Sequence, residues 1–284
     1  MILVTGAGGT VGSAVARALA EAGASFREAH GSKEKAEKAR GAGRDAVVVD
    51  FARPATVAEA LAGVDRLFLL GATTEDQSER EAGVVREAKK AGVGRVVKLS
   101  VWEAGKEQYG FARVHRSVEK EIEASGLAWT FLRPNGFMQN TANFFAGTIK
   151  TQGAFYLPTG EARISHVDVR DIAAVAAKAL TGPGHEGKAY DISGPEALTY
   201  QEVADTIGRA LGRTVRYVPV SDEDGRQGMR AAGIPGFYVE LLIDLYGHYR
   251  GGGADRVSPA VQQVTGRPPR SFEQFVRDHL DRFR

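Results

Sequence analysis

The chain opens with the stretch ILVTGAGGTVGSAVARALAEAG, residues 2–23, and this stretch decides the fold. Ile2–Val4 is a short apolar run of the kind that forms a buried strand. A glycine-rich turn follows, and then Val11, Val15 and Leu19 recur at helical spacing until a glycine ends the helix. A strand, a glycine-rich turn and a helix in this order begin a βαβ unit.

The turn between this strand and this helix has the composition of an anion-binding site. Glycines let the chain turn tightly and let backbone N–H groups approach an anion, while the positive end of the helix dipole faces it. A tight turn with no ligand is the alternative, but a strand, the glycines and an amphipathic helix occur together here, which favours a dinucleotide site. The residues predicted to hold the pyrophosphate are Thr5, Gly6, Gly8, Gly9, Thr10, Val11 and Gly12.

Short apolar runs alternate with helical stretches through the first half of the chain. The further strand candidates are Ser25–Ala29, Ala46–Asp50, Arg66–Leu70, Val96–Ser100 and Ala128–Arg133. Helices are predicted near Val57–Leu61, Ser78–Ala91 and Ala112–Ser125. Such alternation implies parallel strands joined by right-handed crossovers, with helices on both faces. The sequence therefore predicts an α/β fold with a Rossmann-type, doubly wound parallel sheet.

The rhythm loosens after Pro134, which suggests a second lobe. A helix at Asp171–Leu180 and a strand at Tyr190–Ser193 resume the earlier pattern, and Thr199 with Glu202 forms a capping box that opens another helix. We predict a dinucleotide-binding domain over residues 1–135, to which 161–194 return. Residues 136–160 and 195–284 are predicted to form a smaller, mostly helical, substrate-binding lobe.

Composition excludes several classes of function. With 25% charged residues and a net charge of +2, no basic surface for nucleic acid or membrane is expected. The chain has no cysteine, which excludes disulfides and thiolate chemistry, and its six histidines lack metal-site spacing, so no metal is expected. No apolar stretch approaches the roughly 20 residues that span a bilayer, and no targeting segment is recognised, so a cytoplasmic location is expected.

The end of the second strand indicates which coenzyme the site prefers. NAD sites usually carry Asp or Glu there, whereas this chain has His30 followed by Gly31, Ser32 and Lys33. We predict that these last three residues hold a 2′-phosphate and that NADP(H) is preferred over NAD(H). Glu28 is expected to lie within the strand. The alternative is that Ser32 and Lys33 merely begin a solvated helix.

Residues 1 to about 220 resemble the atypical short-chain dehydrogenase/reductase superfamily, and more narrowly its NmrA-like branch. The most specific matching blocks are His115–Glu119 and Ser125–Asn140. Members of this branch include NAD(P)H-dependent quinone, imine and dye reductases, together with redox sensors that bind the cofactor without catalysis. The resemblance implies that Asp50 and Phe51 lie by the adenine and that Ser100 stands near the nicotinamide.

Further contacts follow from the same resemblance and lie at the carboxyl ends of predicted strands, where open α/β sheets bind ligands. The cofactor would be contacted by Asp50, Phe51, Leu70, Gly71, Ala72, Ser100, Pro134 and Asn135, and the substrate by Trp102, Asn135, Phe137 and Met138. For Phe137 and Met138, packing in an apolar core is the alternative.

The superfamily's usual acid is a tyrosine followed four residues later by a lysine. Tyr109 and Arg113 have this spacing, but the alignment through Glu119 puts Phe111 at the tyrosine and His115 at the lysine. We therefore predict that the catalytic residues are Ser100 and His115. His115 would orient the ribose or substrate, or donate a proton near neutral pH; a buried histidine bonded to a carbonyl is the alternative.

These expectations combine into an NADPH-dependent oxidoreductase that transfers hydride to a small conjugated or aromatic acceptor, such as a quinone or imine. The alternative is a non-catalytic NADP(H)-binding redox sensor that acts through a protein partner. A sugar-nucleotide epimerase is disfavoured because Phe111 and His115 replace the expected Tyr and Lys. A homodimer is left open.

Overall fold

The computed structural model describes all 284 residues of the chain. Their mutual contacts divide them into two compact units. The first unit comprises residues 1–105, 112–133 and 169–191, and the second comprises residues 106–111, 134–168 and 192–284. Each unit is thus assembled from three separate stretches of sequence.

The first unit is built on a seven-stranded sheet. In chain order, its strands are β1 (Ile2–Val4), β2 (Phe26–His30), β3 (Ala46–Val48), β4 (Arg66–Leu69), β5 (Arg95–Leu99), β6 (Ala128–Pro134) and β8 (Lys188–Ile192). They lie in the order β3-β2-β1-β4-β5-β6-β8, and all pairings among the first six are parallel. The predicted Rossmann-type fold is confirmed, with strand ends displaced by one or two residues from the predicted ones. The order reverses at β1, so the crevice for a ligand is expected at the carboxyl ends of β1, β2 and β4.

Helices cover this sheet and bury its apolar runs. They are α1 (Thr10–Glu21), α2 (Lys33–Gly41), α3 (Pro54–Ala60), α4 (Gln77–Lys90), α5 (Gly110–Ser125) and α8 (Val169–Thr181). Helix α1 packs against α8, and α3 packs against α4. The predicted periodicity of α1 is confirmed, because Val15 and Leu19 are fully buried.

The second unit is mostly helical, as predicted. Its two short strands, β7 (Ala154–Leu157) and β9 (Arg216–Pro219), pair in parallel. Its helices are α6 (Met138–Asn140), α7 (Ala146–Gln152), α9 (Tyr200–Leu211), α10 (Asp222–Ala231), α11 (Gly236–Arg250), α12 (Ala260–Thr265) and α13 (Phe272–Asp278). The predicted capping box of α9 is confirmed, since Thr199 Oγ1 accepts from the Glu202 amide at 3.1 Å and Glu202 accepts from the Thr199 amide at 2.8 Å.

Candidate functional site

The glycine-rich turn leaves the N-terminus of α1 open. Gly9 precedes the helix in an extended conformation, and no side chain caps the helix. The first amides of α1, from Thr10 onward, therefore have no partner within the helix. Gly8, Gly9 and Thr10 are exposed to solvent. An anion can approach these amides and the positive end of the helix dipole.

Two of the glycines in this turn are required by its geometry. Gly6 has a φ of +64°, and a Cβ there would lie 2.9 Å from Leu70 Cγ. A Cβ at Gly12 would overlap the carbonyl oxygen of Gly6. The Thr5 hydroxyl is buried against β4 and accepts from the Leu70 amide at 2.8 Å. Thr5 therefore ties β1 to β4 through its side chain.

A cavity of about 290 Å³ opens at the carboxyl ends of β1 to β4. It brings together eight of the predicted cofactor residues, which are Thr5, Gly6, Gly31, Asp50, Phe51, Leu70, Gly71 and Ala72. The remaining lining residues are Ala29, His30, Val49, Thr74, Gln77, Arg80 and Glu81. The other ten predicted cofactor residues do not line it; they are Gly8, Gly9, Thr10, Val11, Gly12, Ser32, Lys33, Ser100, Pro134 and Asn135. Hydrogen bonds from the Ala52 amide and from Arg53 hold the pKa of the Asp50 carboxyl below its usual value.

The end of β2 presents an imidazole to this cavity rather than a carboxylate. Glu28 lies within the strand, as expected, and is only 1% exposed. Its carboxylate is 2.9 Å from His30 Nε2 and accepts from Arg44 at 2.9 Å. His30 Nδ1, by contrast, is buried and has no hydrogen-bond partner. The lining residue at the end of β2, His30, therefore has one ring nitrogen without a hydrogen-bond partner.

Ser32 and Lys33 lie at the start of helix α2. Ser32 Oγ accepts from the Lys35 amide at 3.4 Å and caps the helix, while the exposed Lys33 ammonium is 3.7 Å from Glu37. Lys35, which the sequence analysis missed, lies closer to the glycine turn: its Cδ is 3.3 Å from where a Cβ of Gly8 would stand. The sequence signal was available, because Lys35 follows the N-cap in the first turn of α2.

A buried ion pair supports the opposite wall of the cavity. Lys98, in the middle of β5, is fully buried, and its ammonium donates to Glu81 Oε2 at 2.5 Å and to the Leu99 carbonyl at 2.9 Å. Glu81 Oε1 accepts from the Gly71 amide at 3.3 Å and from Gln77 Nε2 at 3.0 Å. The sequence analysis missed this group, although a lysine inside an apolar strand was a signal for it.

Ser100, predicted to be catalytic, is held by a second buried network. Its hydroxyl donates to Glu119 Oε1 at 2.7 Å, and the same carboxylate accepts from Arg133 at 2.9 and 2.6 Å and from Arg116 at 3.1 Å. Burial alone would raise the pKa of the Glu119 carboxyl, but the hydrogen bonds from Arg133 and Ser100 keep it below its usual value. Because Ser100 donates the only hydrogen of its hydroxyl to Glu119, it can only accept a further hydrogen bond.

His115 is a buried imidazole without a hydrogen-bond partner at Nδ1. It is 9% exposed, and the alternative of a carbonyl-bonded ring is not observed. Burial, and secondarily the positive charge of Lys98, lowers the pKa of His115 well below 6.5. This shift disfavours the protonated ring near neutral pH, so it argues against a role for His115 as the proton donor.

The predicted substrate residues lie in tightly packed surroundings. Trp102 is 2% exposed, and Met138 is 1% exposed and belongs to the core of the second unit. The Asn135 amide donates to Ser165 Oγ at 2.9 Å and to the Ala254 carbonyl at 2.8 Å, so its donors are occupied. The backbone of Pro134 ends β6, and Phe137 is half-buried. Of the residues predicted to contact substrate, Phe137 is the most accessible.

Tyr109 does not resemble a catalytic acid. Its buried ring stacks on His248 with centroids 4.5 Å apart. Phe111, at the position of the superfamily's tyrosine, packs edge-on against Tyr238 at 5.8 Å. Both rings are thus engaged in local aromatic packing, and Phe111 has no hydroxyl with which to donate a proton.

The chain offers neither a membrane-spanning helix nor a metal-binding cluster. No helix combines enough length with enough apolar character to cross a membrane. No three histidine, aspartate or glutamate side chains gather in a group that can hold a metal ion. The cavity at the end of the parallel strands is thus the candidate site.

A doubly wound parallel sheet, with an uncapped helix N-terminus and a cavity at the carboxyl ends of its strands, defines a nucleotide-binding protein of Rossmann type. Comparison with known proteins narrows this class. The chain belongs to the NmrA-like family, whose family model matches residues 1–273. The resemblance inferred from the sequence blocks is therefore confirmed.

Relatives of the chain are reductases. It is 38% identical to the NAD(P)H azoreductase of Xenophilus azovorans over 284 residues, which are 100% of this chain and 99% of the relative. It superposes on the NADPH complex of the Escherichia coli quinone oxidoreductase QOR2 with a TM-score of 0.89 and 27% identity, covering 99% and 100% of the two chains. The NADP(H) complex of Citrobacter sp. triphenylmethane reductase gives a TM-score of 0.87 and 26% identity, covering 98% and 99%. The chain is an NAD(P)H-dependent oxidoreductase.

Proposed function

We propose that this protein transfers hydride from NADPH to a small conjugated or aromatic acceptor, such as a quinone, an azo compound or a cationic dye. The observation that carries the proposal is the cavity at the reversal of strand order, with the open helix N-terminus beside it and unmet polar atoms in its wall. The names of the relatives, which act on azo compounds, quinones and triphenylmethanes, support this acceptor class.

The cavity and the glycine turn fit a dinucleotide. The amides of Gly8, Thr10, Val11 and Gly12 would hold the pyrophosphate, because no side chain competes for the start of α1. The Gly9 amide already donates to the Gly6 carbonyl at 2.9 Å. Asp50 and Phe51 would border the adenine, and Leu70–Ala72 would run along the bound molecule. His30 Nδ1, buried and unpartnered, would gain a partner from the ribose or its phosphate.

Preference for NADPH over NADH follows from the charges around the end of β2. A carboxylate there would bind ribose hydroxyls and repel a 2′-phosphate, but Glu28 is buried and already bonded to Arg44. Lys33 and Lys35 are both exposed, Lys35 borders the glycine turn at Gly8, and Ser32 precedes both lysines at the start of α2. We propose that Lys35, together with Gly31, Ser32 and Lys33, holds the 2′-phosphate.

The surroundings of the acceptor favour substrates that need no acid from the protein. When bound, NADPH supplies a hydride, that is, two electrons and one proton, and leaves as NADP⁺. Phe111 has no hydroxyl, His115 is neutral, and Ser100 donates its only hydrogen to Glu119. A quinone reduced to its stabilised anion can take the second proton from water, and a triarylmethyl cation needs none. Ser100 and His115 would therefore position the reactants rather than exchange protons with them.

The proposal is tested by following NADPH oxidation with a panel of quinones, azo dyes and triphenylmethane dyes. We expect turnover with at least one class and weaker binding of NADH than of NADPH. Gly8→Glu places a negative charge where the pyrophosphate would bind, and we expect it to weaken NADPH binding about tenfold or more. Gly147→Glu, on the exposed side of α7, is the matched control and should bind NADPH normally.

Two results would contradict this function. Equal binding of NADPH and NADP⁺ without turnover of any acceptor would establish the redox sensor instead. Unaltered NADPH binding in Gly8→Glu would show that the glycine turn does not hold the pyrophosphate.

A further inference from the structure

Gln77 is a buried polar residue in the wall of the cavity whose role neither the sequence blocks nor the family comparison assigns. It is the first residue of α4, is 3% exposed and lines the cavity beside Gly71. Its Oε1 is buried and has no hydrogen-bond partner. An unmet buried acceptor of this kind costs about 1–3 kcal/mol, so it calls for a partner.

The orientation of the Gln77 amide is fixed by the neighbouring charges. Its Nε2 donates to Glu81 Oε1 at 3.0 Å. Glu81 Oε2 accepts from the buried ammonium of Lys98 at 2.5 Å, and Glu81 Oε1 also accepts from the Gly71 amide at 3.3 Å, so the oxygen that faces Gln77 is an acceptor. A flipped amide would set two acceptor oxygens against each other and is unfavourable. Lys98 and Glu81 thus force Gln77 to present an acceptor.

The location of Gln77 indicates which part of a dinucleotide it meets. The same cavity is lined by Gly31 at the end of β2 and by Asp50 and Phe51 after β3. In sheets of this strand order, the ends of the second and third strands border the adenosine half of the ligand. The hydrogen-bond donors in that half of NADPH are the exocyclic amino group of adenine and the 3′-hydroxyl of the ribose.

We propose that Gln77 Oε1 accepts a hydrogen bond from the adenosine half of the bound coenzyme and is a recognition residue for it. This inference rests on the proposed function. The Lys98–Glu81 pair acts as a positioning element, because it holds the amide in the receptive orientation before the coenzyme arrives.

The test is a comparison of coenzyme dissociation constants, measured by calorimetry on the full chain without any acceptor. Gln77→Met removes the acceptor at similar length, and we expect it to weaken NADPH binding about tenfold. Gln201→Met, an exposed glutamine on α9, is the matched control and should leave the dissociation constant unchanged. Gln77→Asn withdraws the amide by one methylene and should give an intermediate loss; it serves alone if the Met variant does not fold.

Two coenzyme analogues identify the donor. One carries hypoxanthine in place of adenine and so lacks the amino group, and the other lacks the 3′-hydroxyl. The analogue that lacks the true donor should bind the wild type about tenfold more weakly than NADPH does. In the Gln77 variants that difference should disappear.

The outcomes separate this inference from the proposed function. If both analogues lose the same affinity in the variants as in the wild type, or if the variants bind NADPH as the wild type does, Gln77 is not a recognition residue. If the wild type itself fails to bind NADPH, the proposed function fails instead.

Discussion

The two units bury polar side chains in different ways. In the first unit, buried carboxylates are paired with cations or other donors, as in Glu81 with Lys98 and Glu119 with Arg133. In the second unit, most buried polar groups are neutral, such as His166, Tyr217 and Asn135. Asp168, which accepts from Gln139, is the charged exception.

Because of this difference, we expect substitutions and acidification to lower the free energy of unfolding of the two units by different amounts. Removing one member of a buried ion pair leaves the other charge without a partner in a poorly solvated place, which is very unfavourable. Removing a neutral hydrogen bond costs less, but a buried neutral imidazole is sensitive to protonation. Four measurements of the free energy of unfolding test this contrast.

Lys98→Met should cause the largest loss. It leaves the buried carboxylate of Glu81 without its ammonium, and we expect the free energy of unfolding to fall by about 3–5 kcal/mol in urea denaturation. Glu81→Gln added to this variant should restore part of the loss, because the stranded charge is then removed. If Lys98→Met lowered the free energy of unfolding only slightly, the first unit would not depend on the buried Lys98–Glu81 pair for its stability.

Acidification should expose the weakness of the second unit. Burial lowers the pKa of His166 from 6.5 to about 4. Between pH 6.5 and pH 4, His166 is protonated in the unfolded chain but neutral in the folded chain. Its contribution to stability is therefore complete above pH 6.5 and is lost as the pH falls to 4. The loss from this group is about 3 kcal/mol.

His166→Gln measures that contribution directly. Its free energy of unfolding should fall less than that of the wild type between pH 7 and pH 4. If the free energy of unfolding has the same pH dependence in the two proteins, unfolding is not accompanied by protonation of His166. His115, whose pKa is also lowered, contributes in the same direction from the first unit and remains in both proteins.

Ser100→Ala should have an intermediate effect. Glu119 loses a hydroxyl donor at 2.7 Å but keeps Arg133 and Arg116. Because hydrogen bonds to charged groups contribute about 1.5–3 kcal/mol, we expect a loss of about 2 kcal/mol in thermal or urea unfolding. A loss as large as that of Lys98→Met would show that the arginines do not share the charge of Glu119.

Tyr217→Phe should have the smallest effect of the four. The Tyr217 hydroxyl donates to the Leu157 carbonyl at 3.1 Å and lies 3.0 Å from Thr159 Oγ1, and all three groups are neutral. We expect the free energy of unfolding to fall by about 1 kcal/mol. Tyr156→Phe, where the ring is 46% exposed, is the control and should be nearly neutral.

Local pattern was enough to predict the sheet, the glycine turn and most helices. Residues 67–69 of β4 form a continuous apolar run, and the spacing of Val15 and Leu19 marks the buried face of α1. Turn chemistry was equally readable, as the capping box at Thr199 shows. These features depend on neighbours in sequence, which is why sequence alone revealed them.

The charged networks around the site could not be predicted in the same way. Lys98 and Glu81 are 17 residues apart, on a strand and a helix whose faces had first to be placed against each other. The neutral state of His115 depends on its burial and on Lys98, neither of which periodicity reveals. Gln77 was missed because a glutamine at a helix start looks solvated until the cavity beside it is known.

The order in which the chain visits the two units bears on its synthesis. Strand β8 completes the sheet beside β6, yet residues 134–168, which belong to the second unit, lie between them. A nascent chain that has reached Arg133 therefore has β6 as an open edge, with Phe131 and Leu132, fully buried in the finished protein, on that strand. Open apolar edges recruit other chains. Fragments ending near Arg133 are thus expected to aggregate, and the stretch from Pro134 to Asp168 must leave the ribosome before the sheet is sealed.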